Sequence, residues 1–208
     1  MTILVNRADY FDCALGLLAA EGPSALKVSR LCRDLGVTTG SFYHHFPSMR
    51  GFVGELLAHW EMQETEQYVQ MLDSVDDPIA GLPVLRAAVH ALPHRAEAAL
   101  RAWSHTDEQV AAAQARVDAR RLEAVANLVS RIVGDAERGA RLALLGMVFL
   151  AGFQVARDPD DHDELSMLLD DHLAIAATPP VASTGAPSLR TPRDAAPADC
   201  ASRRPVVG

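Results

Sequence analysis

Apolar residues recur three and four positions apart along most of the chain, the spacing that places them on one face of a helix. Strand signals are scarce, because alternating apolar and polar runs are absent and aromatic residues make up only 5% of the sequence. The pattern predicts helices near residues 5–21, 28–35, 39–45, 48–72, 79–91, 95–103, 107–133, 136–156 and 163–176. We therefore predict an all-α fold.

The second and third predicted helices are short and are separated by a turn. Gly36 is suited to end the second helix, since glycine adopts the left-handed conformation of a helix end without strain. Thr38 or Thr39 can cap the third helix, because a side-chain oxygen there accepts a hydrogen bond from an unpaired backbone N–H. Two short helices joined by a glycine-containing turn are typical of a helix-turn-helix.

Composition separates the end of the chain from the rest. We predict a helix-turn-helix domain over residues 1–47, a second helical domain over 48–178 and a disordered tail over 179–208. The tail is rich in Pro, Ala, Ser and Thr and has almost no large apolar side chains, so it cannot offset the entropy lost on ordering.

Charge is distributed unevenly over these parts, within a net charge of −8. Residues 1–60 carry five basic and five acidic side chains, residues 61–178 carry ten and twenty, and residues 179–208 carry four and two. A neutral N-terminal segment beside an acidic body suggests two modules. If DNA is a partner, only the first segment can face it, and binding should be modest and sensitive to salt.

The third predicted helix carries an unusual set of ring side chains. Phe42 and Phe46 are four residues apart and share a face, so they can anchor the helix on the core. Tyr43, His44 and His45 are left to the other sides, where hydrogen-bonding side chains suit base edges and phosphates. The alternative is that all the rings pack in a small core. A metal site is disfavoured, because adjacent histidines on a helix point about 100° apart.

The segment ALKVSRLCRDLGVTTGSFYHHFPSMRGFVGELL, residues 25–57, resembles the DNA-binding domain of the tetracycline-repressor (TetR) family of bacterial transcription regulators. Its G-V-[ST]-x-x-[ST]-[LF]-Y-x-H-F core is specific, and the long helical region that follows fits the family layout. The resemblance implies a homodimer that binds a near-palindromic DNA operator through its N-terminal helices. It also implies a C-terminal domain for dimerisation and for a small-molecule effector, which usually relieves repression.

The resemblance also carries individual residues over as DNA contacts. Thr39, Gly40, Tyr43 and His44 match positions that contact bases or the DNA backbone. Ser41 and His45 match positions that often contact phosphate. The helix that begins at Thr38 adds backbone N–H donors at its N-terminus. Two positions depart from the family pattern, since Lys27 stands where a capping threonine is common and Met49 where a phosphate-binding lysine is common. We expect Lys27 and Arg50 to supply those phosphate contacts from adjacent positions.

The segment LALLGMVFLAGFQVA, residues 142–156, is the most apolar in the chain. At fifteen residues it is shorter than the roughly 20 that a membrane span needs, and a glutamine interrupts it, so we predict no membrane partner. We expect a helix buried in the core. A more specific hypothesis is that the small residues of this helix allow a second copy of the chain to pack closely against it. The predicted dimer interface comprises Gly146, Leu150, Gly152 and Leu168.

A ligand pocket in the second domain would be apolar with a few polar anchors. The candidate lining residues are His90, His94, Trp103, Met147, Phe149 and Phe153, although ordinary core packing explains each of them equally well. A proline between His90 and His94 argues against a metal site there, and we predict neither metal nor cofactor.

No catalytic signature such as GxSxG, GxGxxG or HExxH occurs, so we predict that the protein is not an enzyme. The competing function is a helical interaction protein that keeps the fold but binds a protein rather than DNA. The start of the chain lacks the features of a secretory leader, which predicts a cytoplasmic protein.

Overall fold

The computed structural model describes residues 5–177, so the predicted disordered tail at 179–208 lies outside the described residues. Within the described range the chain forms ten α-helices and no strand, which confirms the all-α prediction. The helices are α1 (Arg7–Glu21), α2 (Val28–Asp34), α3 (Thr39–His45), α4 (Met49–Glu61), α5 (Gln67–Asp73), α6 (Gly81–Ala91), α7 (His94–Trp103), α8 (Glu108–Val133), α9 (Ala136–Ala156) and α10 (His162–Ala177).

Side-chain caps fix the starts of the helices that surround the predicted turn. Thr38 accepts a hydrogen bond from the Ser41 backbone N–H, 3.2 Å away, and so begins α3. Ser48 accepts one from the Gly51 N–H, 3.0 Å away, and begins α4. Gly36 follows α2 with a φ of +67°, where an L-residue with a side chain would be strained. The helix-turn-helix prediction is therefore confirmed together with its stop and cap residues.

The N-terminal helices pack around a cluster of aromatic rings. Tyr10 and Phe11 of α1 meet Phe42 of α3, Phe46 directly after α3 and Phe52 of α4, with ring centroids 4.9 to 5.9 Å apart. Most of these contacts are edge-on or tilted, which is the favourable geometry for aromatic pairs. All five rings are buried. We call this set the ring cluster, and it confirms that Phe42 and Phe46 anchor α3.

The packing around the ring cluster continues beyond residue 47, the predicted end of the first domain. The apolar face of α4, from Phe52 to Trp60, belongs to the same buried core, and so do Leu100 of α7 and Val110 and Val117 of α8. Helix α1 lies along α7. The N-terminal helices are thus joined to the rest of the chain by a continuous apolar core.

The predicted helix at 48–72 is interrupted by a π-helical segment at Met62–Glu66 that links α4 to α5. The side chain of Arg121 reaches this segment from α8, donating to the Glu64 carbonyl oxygen at 2.9 Å and to the Thr65 hydroxyl at 3.0 Å. These bonds occupy acceptors that the wider helical turn presents. Arg121 is 57 residues away from Glu64, and local sequence carries no signal of this contact.

Candidate nucleic-acid interface and effector cavity

Helix α3 presents one face to the ring cluster and the opposite face to solvent. Phe42 and Phe46 are fully buried, whereas Tyr43 is 55% exposed. The predicted base-contact residues Thr39, Gly40 and His44 are also exposed. The exposed residues of this anchored helix therefore offer hydroxyl, ring and backbone groups to a partner.

The two predicted phosphate contacts on α3 are held from behind by α1. The Tyr10 hydroxyl donates to Ser41 Oγ at 3.2 Å, and the Tyr10 ring lies 5.6 Å from the ring of His45. Both Ser41 and His45 are half-buried. The same tyrosine that belongs to the ring cluster thus orients the edge of the exposed face.

Arg7 is a positioning residue for α3 that the sequence analysis missed. Its guanidinium donates to the His45 carbonyl oxygen at 2.8 Å, pairs with Glu55 at 2.6 Å and lies 4.8 Å from the centre of the Phe46 ring. These contacts tie the end of α3 to α1 and α4. A charged residue in the first turn of a helix gives no hint of partners 38 and 48 residues away.

The basic side chains of the described N-terminal segment fall into two groups, those that form ion pairs and those that form none with a described residue. Arg30 pairs with Glu21 and Asp34, each at 2.7 Å, and Arg33 lies 3.4 Å from Asp34. Lys27, next to α2, and Arg50, in the first turn of α4, are exposed and form no ion pair with a described residue. Both charges are therefore available, and the phosphate contacts of these two residues stay a prediction.

The second half of the chain contains two adjoining apolar cavities of about 60 and 50 Å³. The side chains that line both are Leu85 and Val89 of α6, Val125 of α8, and Met147 and Leu150 of α9. Each is well below the roughly 300–1,000 Å³ of a typical ligand pocket, so an occupant must displace side chains. Met147 is suited to move, because its unbranched side chain adopts many shapes.

The predicted pocket residues fall in several places. Met147 lines both cavities and Phe149 lines the second. Phe153 is buried against His94, with ring centroids 6.3 Å apart, and His90 lies apart from them beside Ser166 of α10. The placement of Trp103 corrects the prediction, because this residue packs against the core around the ring cluster instead.

A buried polar network adjoins the first cavity. Arg121 forms two hydrogen bonds to the Glu97 carboxylate, at 2.5 and 3.0 Å. Gln154 of α9 donates to Glu97 at 2.9 Å and approaches His94 Nδ1 at 3.3 Å. Burial alone would raise the pKa of Glu97, but the charge and hydrogen bonds of Arg121 outweigh burial and hold it below its usual value. Glu97 therefore stays ionised inside the protein.

His94 lies at the edge of this network. Burial lowers the pKa of its imidazole, despite the opposing charge of Glu97. The ring is consequently neutral at physiological pH, and it accepts the Gln154 amide through Nδ1.

The predicted interface residues lie on two opposite faces of α9. Leu150 is buried within the chain, and a Cβ on Gly146 would lie 2.8 Å from His172 Nε2 of α10. These two therefore face inward, which corrects their assignment, and Leu168 of α10 is half-buried. Gly152 faces outward and has open space before it. Because residues 142–156 of α9 are almost all apolar, sequence periodicity could not separate the two faces of this segment.

The outward face of α9 is an uncovered apolar stripe, so the expectation of a helix buried in the core holds for only one side of this helix. Leu144, Leu145, Val148 and Val155 are each about half or more exposed, with Val148 at 61% and Val155 at 69%. By length and composition Ala136–Ala156 is also capable of crossing a membrane. Its inner face, however, packs along α8 and bonds Gln154 to the buried Glu97, contacts that a membrane span would lose.

Comparison with known proteins bears on the first of these sites. Residues 11–56 match the family model described as bacterial regulatory proteins, tetR family. The HTH-type transcriptional repressor KstR2 of Mycolicibacterium smegmatis is 31% identical over 91 residues, which are 43% of this chain and 44% of the repressor. The match therefore spans less than half the length of this relative.

Solved structures resemble the chain over most of its length. A transcriptional regulator from Rhodococcus sp. Rha1 superposes with a TM-score of 0.62 at 16% identity, covering 83% of this chain and 94% of the regulator. The ketosteroid transcriptional regulator KstR2 of Mycobacterium tuberculosis superposes with a TM-score of 0.57 at 19% identity, covering 84% and 95%. At sequence identities of 16% and 19%, this structural similarity shows a shared fold alone.

Proposed function

We propose that this chain, whose residues 11–56 match the family model of bacterial regulatory proteins, tetR family, belongs to that family and is a ligand-responsive, DNA-binding transcriptional repressor of the cytoplasm. The observation that carries the proposal is the two-faced α3. Its phenylalanines are fully buried while Tyr43 and His44 are exposed on a helix whose ends are pinned by Thr38 and Arg7. A rigid, exposed helix following a tight turn has the geometry that enters a major groove.

Phosphate contacts would come from groups around α3. Lys27 and Arg50 carry unpaired positive charge, and the N–H groups at the start of α3 and α4 are donors that add no net charge. Ser41 and His45, which both contact Tyr10, would supply further phosphate contacts from α3 itself. Since the N-terminal segment is neutral overall, few counterions would be released and the salt dependence should be moderate.

The active form would be a homodimer formed through the uncovered stripe of α9. Exposed apolar residues four and seven positions apart, such as Leu144, Val148 and Val155, match the spacing of helix-on-helix contacts. A two-fold axis there would hold two copies of α3 at a fixed separation, for half-sites about 34–36 Å apart. An effector that opens the two cavities would shift α6 and α9 and so change that separation.

Selection from a pool of random-sequence duplexes tests this function. The wild-type chain should enrich a near-palindromic sequence, and its affinity for that duplex should fall as salt rises. A protein that enriches no sequence and whose duplex binding is undetectable at low salt would support the competing role as a protein-binding module.

The dimer has a separate test in Val148→Glu, which places a charge in the middle of the stripe. We expect this variant to sediment as a monomer with unchanged helical content, because the Val148 side chain is 61% exposed in the single chain. Asp163→Glu, at an exposed position of α10, is a surface control that should remain dimeric. Wild-type protein that sediments as a monomer at micromolar concentration would contradict the dimer.

A further inference from the structure

The two cavities adjoin each other and have five lining residues in common, so we treat them together as one apolar space. They share walls from α6, α8 and α9, and Met147 and Leu150 border both. Only the first cavity reaches charged side chains, at the end where it meets the π-helical segment. We call this the acidic end, and the residues that line it are Glu64, Thr65, Tyr68 and Arg121.

The charges around the acidic end do not cancel. Arg121 is held by Glu97 through two hydrogen bonds, and the neighbouring Arg101 is held by Asp118 through two more, both at 2.9 Å. The Glu64 carboxylate forms no ion pair or hydrogen bond with a described residue. Each of the two guanidinium groups is thus matched by one carboxylate, and the charge of Glu64 has no paired guanidinium of its own.

The other polar groups nearby do not supply the missing positive charge. His94 is neutral because burial lowers its pKa, and Gln154 directs its amide toward Glu97 rather than Glu64. Thr65 and Tyr68 are uncharged. The other hydrogen bonds of Arg121 go to the Glu64 carbonyl oxygen and the Thr65 hydroxyl, and not to the Glu64 carboxylate. Glu64 is thus the one ionisable group among these described residues whose charge is unmatched.

We propose that this space binds an amphipathic cation, with an apolar chain or ring between α6, α8 and α9 and a protonated amine or quaternary ammonium beside Glu64. The half-buried ring of Tyr68 lies at the same end and can face the cation, which adds a cation–π attraction. An anionic ligand is disfavoured, because it would have to take Arg121 from Glu97 and leave that buried carboxylate unpaired. The inference rests on the proposed function in taking the cavities as the effector site.

The cost of leaving Glu64 unpaired supports the same assignment. Burial raises the pKa of Glu64, and the negative charge of Glu97 raises it further. A bound cation relieves this cost by favouring the ionised form. As pH falls through the raised pKa, Glu64 becomes protonated and cation binding should weaken, while binding of a neutral ligand should not change.

Three eight-carbon probes of one shape separate charge from apolar burial: n-octylammonium, n-octanol and n-octanoate. Binding is read from the fluorescence of Trp60, which is buried with the Arg121 guanidinium 6.0 Å from its ring, in a Trp103→Phe background that removes the second tryptophan. We expect octylammonium to bind at least about tenfold more tightly than octanol, and octanoate most weakly.

Glu64→Gln removes the charge and keeps the shape of the side chain. It should reduce octylammonium affinity to that of octanol and leave octanol affinity unchanged. Glu66→Gln is the matched control, since the Glu66 carboxylate lies 3.5 Å from Arg120 and does not line the cavity, and it should keep the preference for the cation. The wild-type pH series provides a second readout that needs no variant.

Equal affinity for octylammonium and octanol, or a cation preference that survives Glu64→Gln, would overturn the inference. Anisotropy of a labelled duplex without any probe tests the proposed function separately. If the protein binds duplex but does not prefer the cation, the proposed function stands and the inference is wrong. If it prefers the cation but does not bind duplex, the cation site stands and the proposed function is wrong.

Discussion

The two halves of the molecule bury apolar residues in different ways. Around α1 to α4, five aromatic rings interlock at centroid distances of 4.9 to 5.9 Å, and Arg7 closes the cluster over Phe46. Around α6, α8 and α9 the buried side chains are mainly aliphatic and leave two cavities, and an ion pair lies inside the protein. Large rings with few rotamers make a stiff base, whereas incompletely filled aliphatic packing can be displaced. The rigid packing thus supports the exposed face of α3, and the more deformable packing surrounds the cavities in which we place the effector.

The largest expected effect comes from breaking the stiff half. Phe46→Ala should cost about 3–5 kcal/mol in the free energy of unfolding, since the ring is fully buried and its neighbours cannot collapse into the space. Denaturant unfolding measures this cost, and Phe46→Leu should lose less. A cost below about 1 kcal/mol for the alanine variant would show that the ring cluster is not a rigid base.

The ion pair of the other half gives the next largest effect. Arg121→Met should destabilise the fold by about 3 kcal/mol, because Glu97 is left charged and buried without its partner. Adding Glu97→Gln should restore much of that loss, which distinguishes an unpaired charge from lost packing. If the double variant unfolds as readily as the single one, Arg121 acts by holding the π-helical segment rather than by neutralising Glu97.

A smaller effect is expected from the pH dependence of His94. Burial holds its pKa in the folded state below the ordinary value of 6.5, so the unfolded chain takes up a proton first as pH falls. The contribution to stability is present above pH 6.5 and is lost as pH falls toward the folded-state pKa. The unfolding midpoint should therefore drop as the pH falls below about 6.5, and it should drop less in His94→Gln. Equal slopes for the two proteins would assign the effect to other histidines.

Helices and their ends could be predicted from the sequence because local chemistry determines them. Gly36 ends α2 and Thr38 begins α3 through the conformation and the hydrogen bond of the residue itself. The two faces of α3 were equally readable, since phenylalanines four apart must share a side. Contacts between distant helices were not readable, as Arg7 with His45 and Arg121 with the π-helical segment illustrate.

The corrected residues share a physical reason. Trp103 and Leu150 were assigned by residue type alone, and an apolar side chain is equally suited to a core, a cavity wall or an interface. Glu64 was overlooked because a glutamate on a predicted helix resembles any solvated residue until its neighbours in space are known. What makes it distinctive is a balance of charges on three separate elements.

Binding of a selected duplex by Tyr43→Ala tests the central claim most directly, namely that the exposed face of α3 reads DNA from a rigid base. Tyr43 is 55% exposed, so its removal should change the free energy of unfolding by less than about 0.5 kcal/mol. Affinity for the enriched duplex should fall by about 1–3 kcal/mol, as expected for a lost specific contact. Unchanged affinity in a stable variant, or a loss of binding that only follows unfolding, would contradict the claim.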